Sequence, residues 1–324
     1  MKRVKVDNSI GEPLAHDVIQ YGPKVKKILF ERGHVVKKKD LNKLKNAGNY
    51  YVYVSEDDAD LGVHEEKAAT RIAKAAAGPN VTFKSPTKAR VRLLAESPGL
   101  LKVNLDLLKK INLEEDFVLA TKRNNTGVME REEIASTKIA PLAIGKEELD
   151  KVKNLLEENK PVLKVIPPKI KKIGVIITGD EIYEGRIEDA FESTLTEKLE
   201  TYKLTISKST ILPDNKKKIK NKIIEYKEDG IELILVTGGM AVDAGDVTPD
   251  AIRDTKAEVI PRGTPIFPGN MAMIAYLDNT PVLGLPACVL PDQVTSFDFI
   301  LPRILAGEKL TKEDIAELGH GGLL

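Results

Sequence analysis

The sequence is short of several residue types, and each shortage excludes a class of protein. Among 324 residues Cys288 is the only cysteine, which excludes an internal disulfide and a cysteine-based zinc or iron–sulfur cage. The four histidines show no metal-ligand spacing, and tryptophan is absent. No apolar run approaches the roughly 20 residues of a transmembrane helix, and the basic start lacks the apolar core of a signal peptide. We therefore expect a cytoplasmic protein with no membrane segment.

An excess of one charge is also absent. Lys and Arg together number 50 against 49 Asp and Glu, so the formal net charge is +1. Nucleic acid is therefore not an expected partner, and any anion site must be local. With 42% hydrophobic and 31% charged residues, the chain has the composition of a folded globular protein. Its length predicts two or three domains.

The second half of the sequence alternates strands with helices. The continuous apolar run from Ile173 to Ile177 is typical of a strand buried on both faces. Further strands are predicted at 206–212, 231–236 and 280–285, with helices of i, i+4 apolar spacing between them. This order predicts an α/β fold, a three-layer domain with a mostly parallel sheet.

The first half is less regular and predicts a smaller, mixed α+β or β-rich N-terminal region. Two adjacent prolines, Pro167 and Pro168, lie in the segment 161–172, which we interpret as an interdomain linker. Residues 1–60 show several apolar positions without an obvious enclosing fold. The expected parts are an N-terminal α/β lobe (1–60), a helix plus β-rich domain (61–166), the α/β domain (167–310) and a C-terminal tail (311–324).

Three predicted strands of the α/β domain end in loops rich in glycine and polar residues. In open α/β sheets, ligands lie beyond the carboxyl ends of the strands, and glycines there let backbone N–H groups approach an anion. One glycine after a strand is most often only a turn, but three such loops in one domain predict a shared anionic ligand. The loops are Thr178-Gly179-Asp180-Glu181, Thr237-Gly238-Gly239-Met240 with Asp243 and Asp246 after it, and Gly284-Leu285-Pro286-Ala287-Cys288.

The acidic side chains of these loops would repel a phosphate and need another role. They could bind Mg²⁺, which combines a few carboxylates with water and phosphate oxygens, or accept N–H donors of a ligand ring. The alternative is that they cap helices. We favour a ligand role for Asp180 and Asp246, and capping for Asp189 and Asp250.

At these loops the sequence resembles the molybdopterin-binding domain of molybdenum cofactor synthesis proteins. The matching segments are Thr178-Gly-Asp-Glu-Ile with Gly185-Arg-Ile-x-Asp189, Thr237-Gly-Gly-Met-x-Val-x-x-x-Asp246, Arg262-Gly-Thr-Pro and Gly284-Leu-Pro, in the family's order between Ile173 and Gly307. The resemblance implies that the domain holds the phosphate and the ring of molybdopterin. The implied cofactor-binding residues are Thr178, Gly179, Glu181, Thr237, Gly238, Gly239, Met240, Asp243, Gly284, Leu285, Pro286 and Cys288.

The resemblance also implies a chemistry. Asp180 and Asp246 would hold Mg²⁺, and Arg262 would be the charge partner of the ligand, so that molybdate is placed beside the dithiolene. The ligand would be molybdopterin or its adenylated form, and the protein would be a homodimer.

Two departures from the family leave several functions open. The S-x-M-D-G-[FY]-A segment of the molybdate-inserting enzymes is missing, and Ala287-Cys288-Val289 replaces their Gly-Asn-Pro. The first hypothesis is an enzyme similar to molybdopterin molybdenumtransferase. The second is a non-catalytic carrier that passes mature cofactor to apo-molybdoenzymes. A nucleotide-processing hydrolase ranks third, because no amidase-like region accompanies the domain.

Overall fold

The N-terminal lobe folds around a small core of its own. The computed structural model describes residues 2–22, 25–55, 62–87, 90–159, 161–240 and 245–324. The lobe contains β1 (Lys2–Lys5), β2 (Val18–Gly22), β3 (Val25–Phe30), α1 (Leu41–Asn46) and β4 (Tyr51–Val54), with β1 paired to β4 and β2 to β3. Its core residues are at most 2% exposed: Val6, Leu14, Val18, Val36, Leu44, Val52 and Val54. The apolar positions of this region, for which the sequence shows no obvious enclosing fold, thus share a core of their own.

The middle region combines small antiparallel sheets with three helices. Its elements are β5 (Val63–His64), α2 (Glu65–Ala76), β6 (Val81–Thr87), β7 (Arg90–Ala95), β8 (Gly99–Val103), α3 (Leu105–Leu113), β9 (Phe117–Thr121), β10 (Gly127–Val128), β11 (Glu133–Ile139), β12 (Ala143–Ile144), α4 (Lys146–Glu158) and β13 (Leu163–Ile166). Fully buried alanines of α2, such as Ala69 and Ala73, bring this helix close to the sheet of order β6-β7-β11-β9. Strand β13 lies in the segment interpreted as a linker, yet it pairs with β8.

The C-terminal region contains one six-stranded sheet. Its elements are β14 (Ile173–Thr178), α5 (Asp180–Tyr183), α6 (Phe191–Glu200), β15 (Ile206–Leu212), α7 (Lys216–Glu228), β16 (Leu233–Thr237), α8 (Thr248–Asp254), β17 (Glu258–Arg262), β18 (Met273–Leu277), β19 (Thr280–Leu285), α9 (Ser296–Leu305) and α10 (Lys312–Glu317). The strand order is β15-β14-β16-β19-β18-β17. The first four strands are parallel, and β18 runs antiparallel to both of its neighbours. The predicted mostly parallel sheet is confirmed.

Helices cover both faces of this sheet, because successive side chains of a strand point to opposite sides. In β14, Val175 and Ile177 belong to the cluster that includes α6 and α9. Ile176 points the other way, into the cluster formed with α7 and α8. Both clusters are almost free of solvent, so the domain has the three layers that the sequence predicts. None of the described helices combines the length and apolar character needed to cross a bilayer.

The register of the parallel strands brings their carboxyl ends to one edge. Ile177 in β14 pairs with Thr237 at the end of β16, and Thr237 pairs with Leu285 at the end of β19. Neighbouring strands lie roughly 4.8 Å apart, so the three loops that follow them start within about 10 Å of one another. We call this side of the sheet the carboxyl edge.

Candidate functional site

The loop after β14 turns sharply at the carboxyl edge. Thr178 is 2% exposed, and its Oγ1 lies 3.3 Å from Oγ1 of Thr248, the first residue of α8. Gly179 has φ +148°, a conformation that L side chains rarely adopt. The two acids that follow, Asp180 and Glu181, are exposed to solvent. The loop therefore presents two carboxylates outward above a buried hydroxyl pair.

Two aspartates lock the loop after β14 to the loop after β15. The backbone N–H of Asp180 donates to Oδ2 of Asp214 at 3.2 Å, and the N–H of Asp214 donates to Oδ1 of Asp180 at 3.1 Å. Each carboxylate thus uses one oxygen to fix the other's backbone. Because each carboxylate has two oxygens, both keep one for a further partner.

The second oxygen of Asp214 is a buried acceptor. Its Oδ1 is buried, and none of the described groups hydrogen-bonds to it. Burial raises the pKa of Asp214, and the nearby charges of Asp180 and Glu181 raise it further, while the amide of Asp180 and the hydroxyl of Thr178 oppose them. A buried acceptor without a partner is costly unless a ligand supplies a donor.

Asp214 was not among the residues predicted from the sequence. The signal that could have found it is Leu212-Pro213-Asp214, an acid two residues beyond a predicted strand. That strand has only exposed and half-buried positions, so its end does not stand out beside the fully buried strands.

The loop after β16 lies directly above Thr178. Thr237 is fully buried, and its Oγ1 has no hydrogen-bond partner among the described residues. Gly238 and Gly239 follow with φ of +84° and +55°. A Cβ at Gly238 would lie 2.1 Å from the carbonyl oxygen of Thr178, so only glycine fits there.

Gly239 lies so close to three oxygens that one added Cβ would already contact them. A Cβ on this residue would lie 3.0 Å from Oγ1 of Thr248, 3.5 Å from Oδ1 of Asp214 and 3.6 Å from Oγ1 of Thr178. The space that a side chain would fill is therefore lined by polar atoms. We call this space the glycine gap.

The residues at the end of β19 mainly pack against the loop after β16. Gly284, Leu285 and Pro286 are buried. A Cβ on Gly284 would lie 2.6 Å from Cε of Met240, so the thioether of this 3% exposed methionine packs on the glycine. Cys288, in the short 3-10 turn Ala287–Val289, is half-buried, and burial raises the pKa of its thiol, as does the nearby Asp292.

The remaining predicted residues lie around this centre. Asp246 is half-buried, two residues before Thr248. Arg262 is exposed at the end of β17; it pairs with Met273, which pairs with Gly284, so two strand spacings separate Arg262 from Gly284. Asp243 lies outside the described residues.

The acidic residues differ in whether they cap a helix and in whether they could bind a metal ion. Asp189 accepts the N–H groups of Phe191 and Glu192 at 2.9 and 3.1 Å, which confirms its predicted capping role. Within the described part of the chain, no three His, Cys, Asp or Glu side chains gather as potential ligands of one metal ion. A cation here would depend on two carboxylates together with water or ligand oxygens.

The fold and the loops define an α/β domain with a polar gap at the carboxyl edge of its sheet. Residues 174–306 match the family model described as "Probable molybdopterin binding domain". The match to this family covers the α/β domain, as the resemblance of its loops predicted. Residues 3–56 match a family model described as a domain of unknown function.

Similar proteins cover different parts of the chain. The "CinA-like protein" of Mycobacterium avium (strain 104) is 26% identical over 85 residues, which make up 26% of this chain and 20% of that protein. The matched stretch thus spans about a fifth of this curated relative. The molybdopterin biosynthesis enzyme MoaB of Thermus thermophilus is 17% identical with a TM-score of 0.35, over 43% of this chain and 98% of that chain. The molybdopterin biosynthesis MoeA protein of Pyrococcus horikoshii is 13% identical with a TM-score of 0.35, over 94% of this chain and 74% of that chain.

Proposed function

We propose that the glycine gap binds molybdopterin or its adenylated form, and that the protein acts in the assembly or handling of the molybdenum cofactor. The observation that carries the proposal is the gap itself. Gly238 and Gly239 have positive φ, and Gly239 lies beside the buried Oδ1 of Asp214. Oδ1 of Asp214 and Oγ1 of the preceding Thr237 are both buried and have no hydrogen-bond partner among the described residues. Such atoms are stabilised by a ligand that supplies the missing hydrogen bonds.

Each part of the gap suits one part of this ligand. Backbone N–H groups of a glycine loop approach a phosphate without steric hindrance, which suits the terminal phosphate of the pterin. A carboxylate accepts N–H donors, so Asp214 suits the pterin ring, and Thr237 can donate or accept. The raised pKa of Asp214 reflects the cost of its buried charge, which such a donor would offset.

The proposal includes Mg²⁺ bound by the acidic residues and molybdate or another anionic group near Arg262. Asp180 and Asp246 supply the oxygen ligands that Mg²⁺ prefers, with water and phosphate oxygens completing its shell. Arg262 is placed two strands away, roughly 10 Å from Gly284, where it would meet the far end of a bound ligand or its anionic substrate. With this arrangement, insertion of molybdate would depend on positioning and on electrostatic stabilisation.

The carrier function is the second candidate, because the acidic N-terminal segment of the inserting enzymes is missing and Ala287-Cys288-Val289 replaces Gly-Asn-Pro. An insertase binds the transition state better than the product, whereas a carrier binds the mature cofactor tightly. Multiple-turnover formation of active cofactor from metal-free or adenylated molybdopterin, molybdate and Mg²⁺ would refute the carrier. Tight binding of mature cofactor and its transfer to an apo-molybdoenzyme without turnover would support it.

Calorimetric titration of the full chain with metal-free molybdopterin tests the binding proposal. Asp214→Asn should weaken binding by roughly tenfold or more, because the buried acceptor loses its charge. The matched control is Asp254→Asn, at the far end of α8, where the carboxylate pairs with Lys216 at the surface. Equal affinity of both variants and the wild type would remove the glycine gap from the ligand site.

A further inference from the structure

A cavity of about 570 Å³ lies at the opposite end of the same sheet. It is lined at Ile170, just before β14, at Ile231, just before β16, and at Thr280, the first residue of β19. Six residues of β14 span roughly 20 Å, so this space is distinct from the glycine gap. We call it the amino-edge cavity.

The floor of the amino-edge cavity is apolar. Ile231, Tyr276 and Ile304 line it and are at most 4% exposed. The hydroxyl oxygen of Tyr276 accepts the backbone N–H of Leu310 at 2.9 Å, so this polar atom of the floor is already hydrogen-bonded. The volume falls in the range of small-molecule sites, roughly 300–1,000 Å³. The floor therefore suits a ligand with an apolar body.

Most charges around the cavity are already neutralised. Lys227 forms an ion pair with Asp278, and Lys309 forms one with Glu258 at 2.8 Å. Their ammonium groups are therefore occupied.

The two carboxylates of the lining are occupied as well. Oε2 of Glu232 accepts the backbone N–H groups of Lys171 and Lys172 at 2.6 and 2.9 Å. Glu308 accepts from Lys102 at 2.8 Å and from Arg303 at 2.7 Å. Neither carboxylate is within ion-pair distance of the remaining lysine of the lining, Lys169.

Lys169 is the lining cation for which the described residues supply no counter-ion. Its backbone N–H donates to the carbonyl oxygen of Leu305 at 2.7 Å, which fixes its position at the rim. Its stem lies on Gly307, where an added Cβ would be 3.1 Å from Cδ and 3.8 Å from Nζ of Lys169. In the described part of the chain, an ammonium group without a paired carboxylate thus lies beside an apolar floor.

We propose that the amino-edge cavity binds a small monoanionic carboxylate with an apolar body, with the Lys169 ammonium as counter-ion. One cation that lacks a described counter-ion matches one negative charge, whereas a phosphate near neutral pH carries about −1.5 to −2 and would remain partly unneutralised. The hydroxyl of Thr280 at the rim supplies a further donor for the carboxylate. This site is independent of the molybdopterin proposal, because no described residue lines both spaces.

Titration of the full chain with 3-phenylpropionate and with 4-methylpentanoate, followed by NMR or calorimetry, tests the proposal and distinguishes an aromatic from a branched aliphatic body. At least one should bind, and Lys169→Gln should weaken that binding roughly tenfold, the scale of a hydrogen bond to a charged group. Lys171→Gln is the matched control and should leave the affinity unchanged, because Lys171 does not line the cavity.

A second variant and a neutral ligand keep the test decisive. Thr280→Trp places an indole at the rim and should abolish binding by occupying the space. The neutral 3-phenylpropionamide should bind at least tenfold more weakly than the acid. Absence of binding by both carboxylates, or equal binding of acid and amide, would overturn the proposal.

Discussion

At the residue scale, the buried carboxyl group of Asp214 is expected to reduce the stability of the fold. Its folded-state pKa is raised by burial and by the charges of Asp180 and Glu181. A carboxyl group with a raised pKa is ionised at neutral pH only at a cost to the folded state. We therefore predict that Asp214→Asn increases the free energy of unfolding at pH 7. The increase should be roughly 1 kcal/mol or less, because the partly exposed position is screened by solvent.

The sign of this effect with pH is fixed. Below the ordinary aspartate pKa of about 3.9, the carboxyl group is protonated in both states, and its cost disappears. The advantage of Asp214→Asn should therefore shrink as the pH falls toward 4, which urea unfolding at pH 4 and pH 7 would measure. A variant less stable than the wild type at pH 7 would show that the carboxylate is structural.

Gly238 provides the second prediction at the residue scale. In Gly238→Ala the Cβ meets the carbonyl oxygen of Thr178 at 2.1 Å, and the residue also has positive φ. The substitution should cost roughly 2–3 kcal/mol of unfolding free energy and should displace the loop after β16. Gly230→Ala is the matched control, because Gly230 has φ +76° but no atom within 4 Å of an added Cβ.

Thermal or urea unfolding of both variants distinguishes the cost of the left-handed backbone conformation from the cost of the steric clash with Thr178. Gly230→Ala should lose only the roughly 1–2 kcal/mol of the left-handed conformation. Equal losses in the two variants would show that the contact with Thr178 relaxes without cost.

At the scale of elements, one buried arginine joins α9 to the chain that follows it. The side chain of Arg303 is 8% exposed, and it donates to Glu308 at 2.7 Å and to Asp314 at 2.6 Å. Glu308 also pairs with Lys102 of β8, so the network connects the middle region with the C-terminal sheet domain. Arg303→Ala should cost about 2 kcal/mol, below the 3–5 kcal/mol of a fully buried pair because its partners are partly exposed. Arg253→Ala, which removes an exposed ion pair, should cost less than about 0.5 kcal/mol.

The same network predicts a pH dependence. Although burial alone would raise it, hydrogen bonds from Arg303 and Thr311 hold the pKa of Asp314 at about 2. Because the folded pKa lies below the unfolded value of about 3.9, Asp314 stabilises the fold above pH 4. This contribution should be lost between pH 4 and pH 2. Comparison of wild type with Asp314→Asn by urea unfolding at pH 6 and pH 2.5 would measure it, and an equal difference at both pH values would contradict it.

Strands could be predicted from the sequence where one apolar pattern covered the whole element. The strands β14 and β16 are apolar without interruption because both faces are covered, and both were predicted from that run. Strands β17 and β18 were not predicted, because Pro261 and the glycine-rich segment between them read as loop. Pro261 is tolerated because β17 is the edge strand of the sheet.

The candidate site was predicted in outline and not in its centre. Thr178, Gly238 and Gly239 meet as expected from successive strand ends. Asp214 was missed because its strand is half exposed, and its pairing with Asp180 depends on register that one sequence does not reveal. Helix α3 was not predicted, because it lies inside a stretch dominated by short strands.

For the whole molecule, we predict a homodimer, as the resemblance to molybdate-inserting enzymes implies. The described residues 2–22 and 25–55 enclose their own apolar cluster, so an incomplete N-terminal core gives no reason to expect a dimer. Apolar surface remains on this lobe, including Tyr21 at 70% and Tyr50 at 65% exposure. Light scattering at micromolar concentration should report twice the 35.6 kDa of one chain. A monomer at that concentration would contradict the prediction.

Because Met240 packs on Gly284, the rate of its oxidation should report how often the loop after β16 opens. A thioether that is 3% exposed and packed on a glycine should react with peroxide only when local opening exposes it. The rate at which Met240 gains one oxygen atom should therefore follow how often the loop opens. A ligand seated in the glycine gap holds the loop down and should slow that rate, whereas a carboxylate in the amino-edge cavity should leave it unchanged. Peptide mass spectrometry during peroxide treatment would then measure the rate of Met240 oxidation, with and without ligand, and requires no assay of the cofactor.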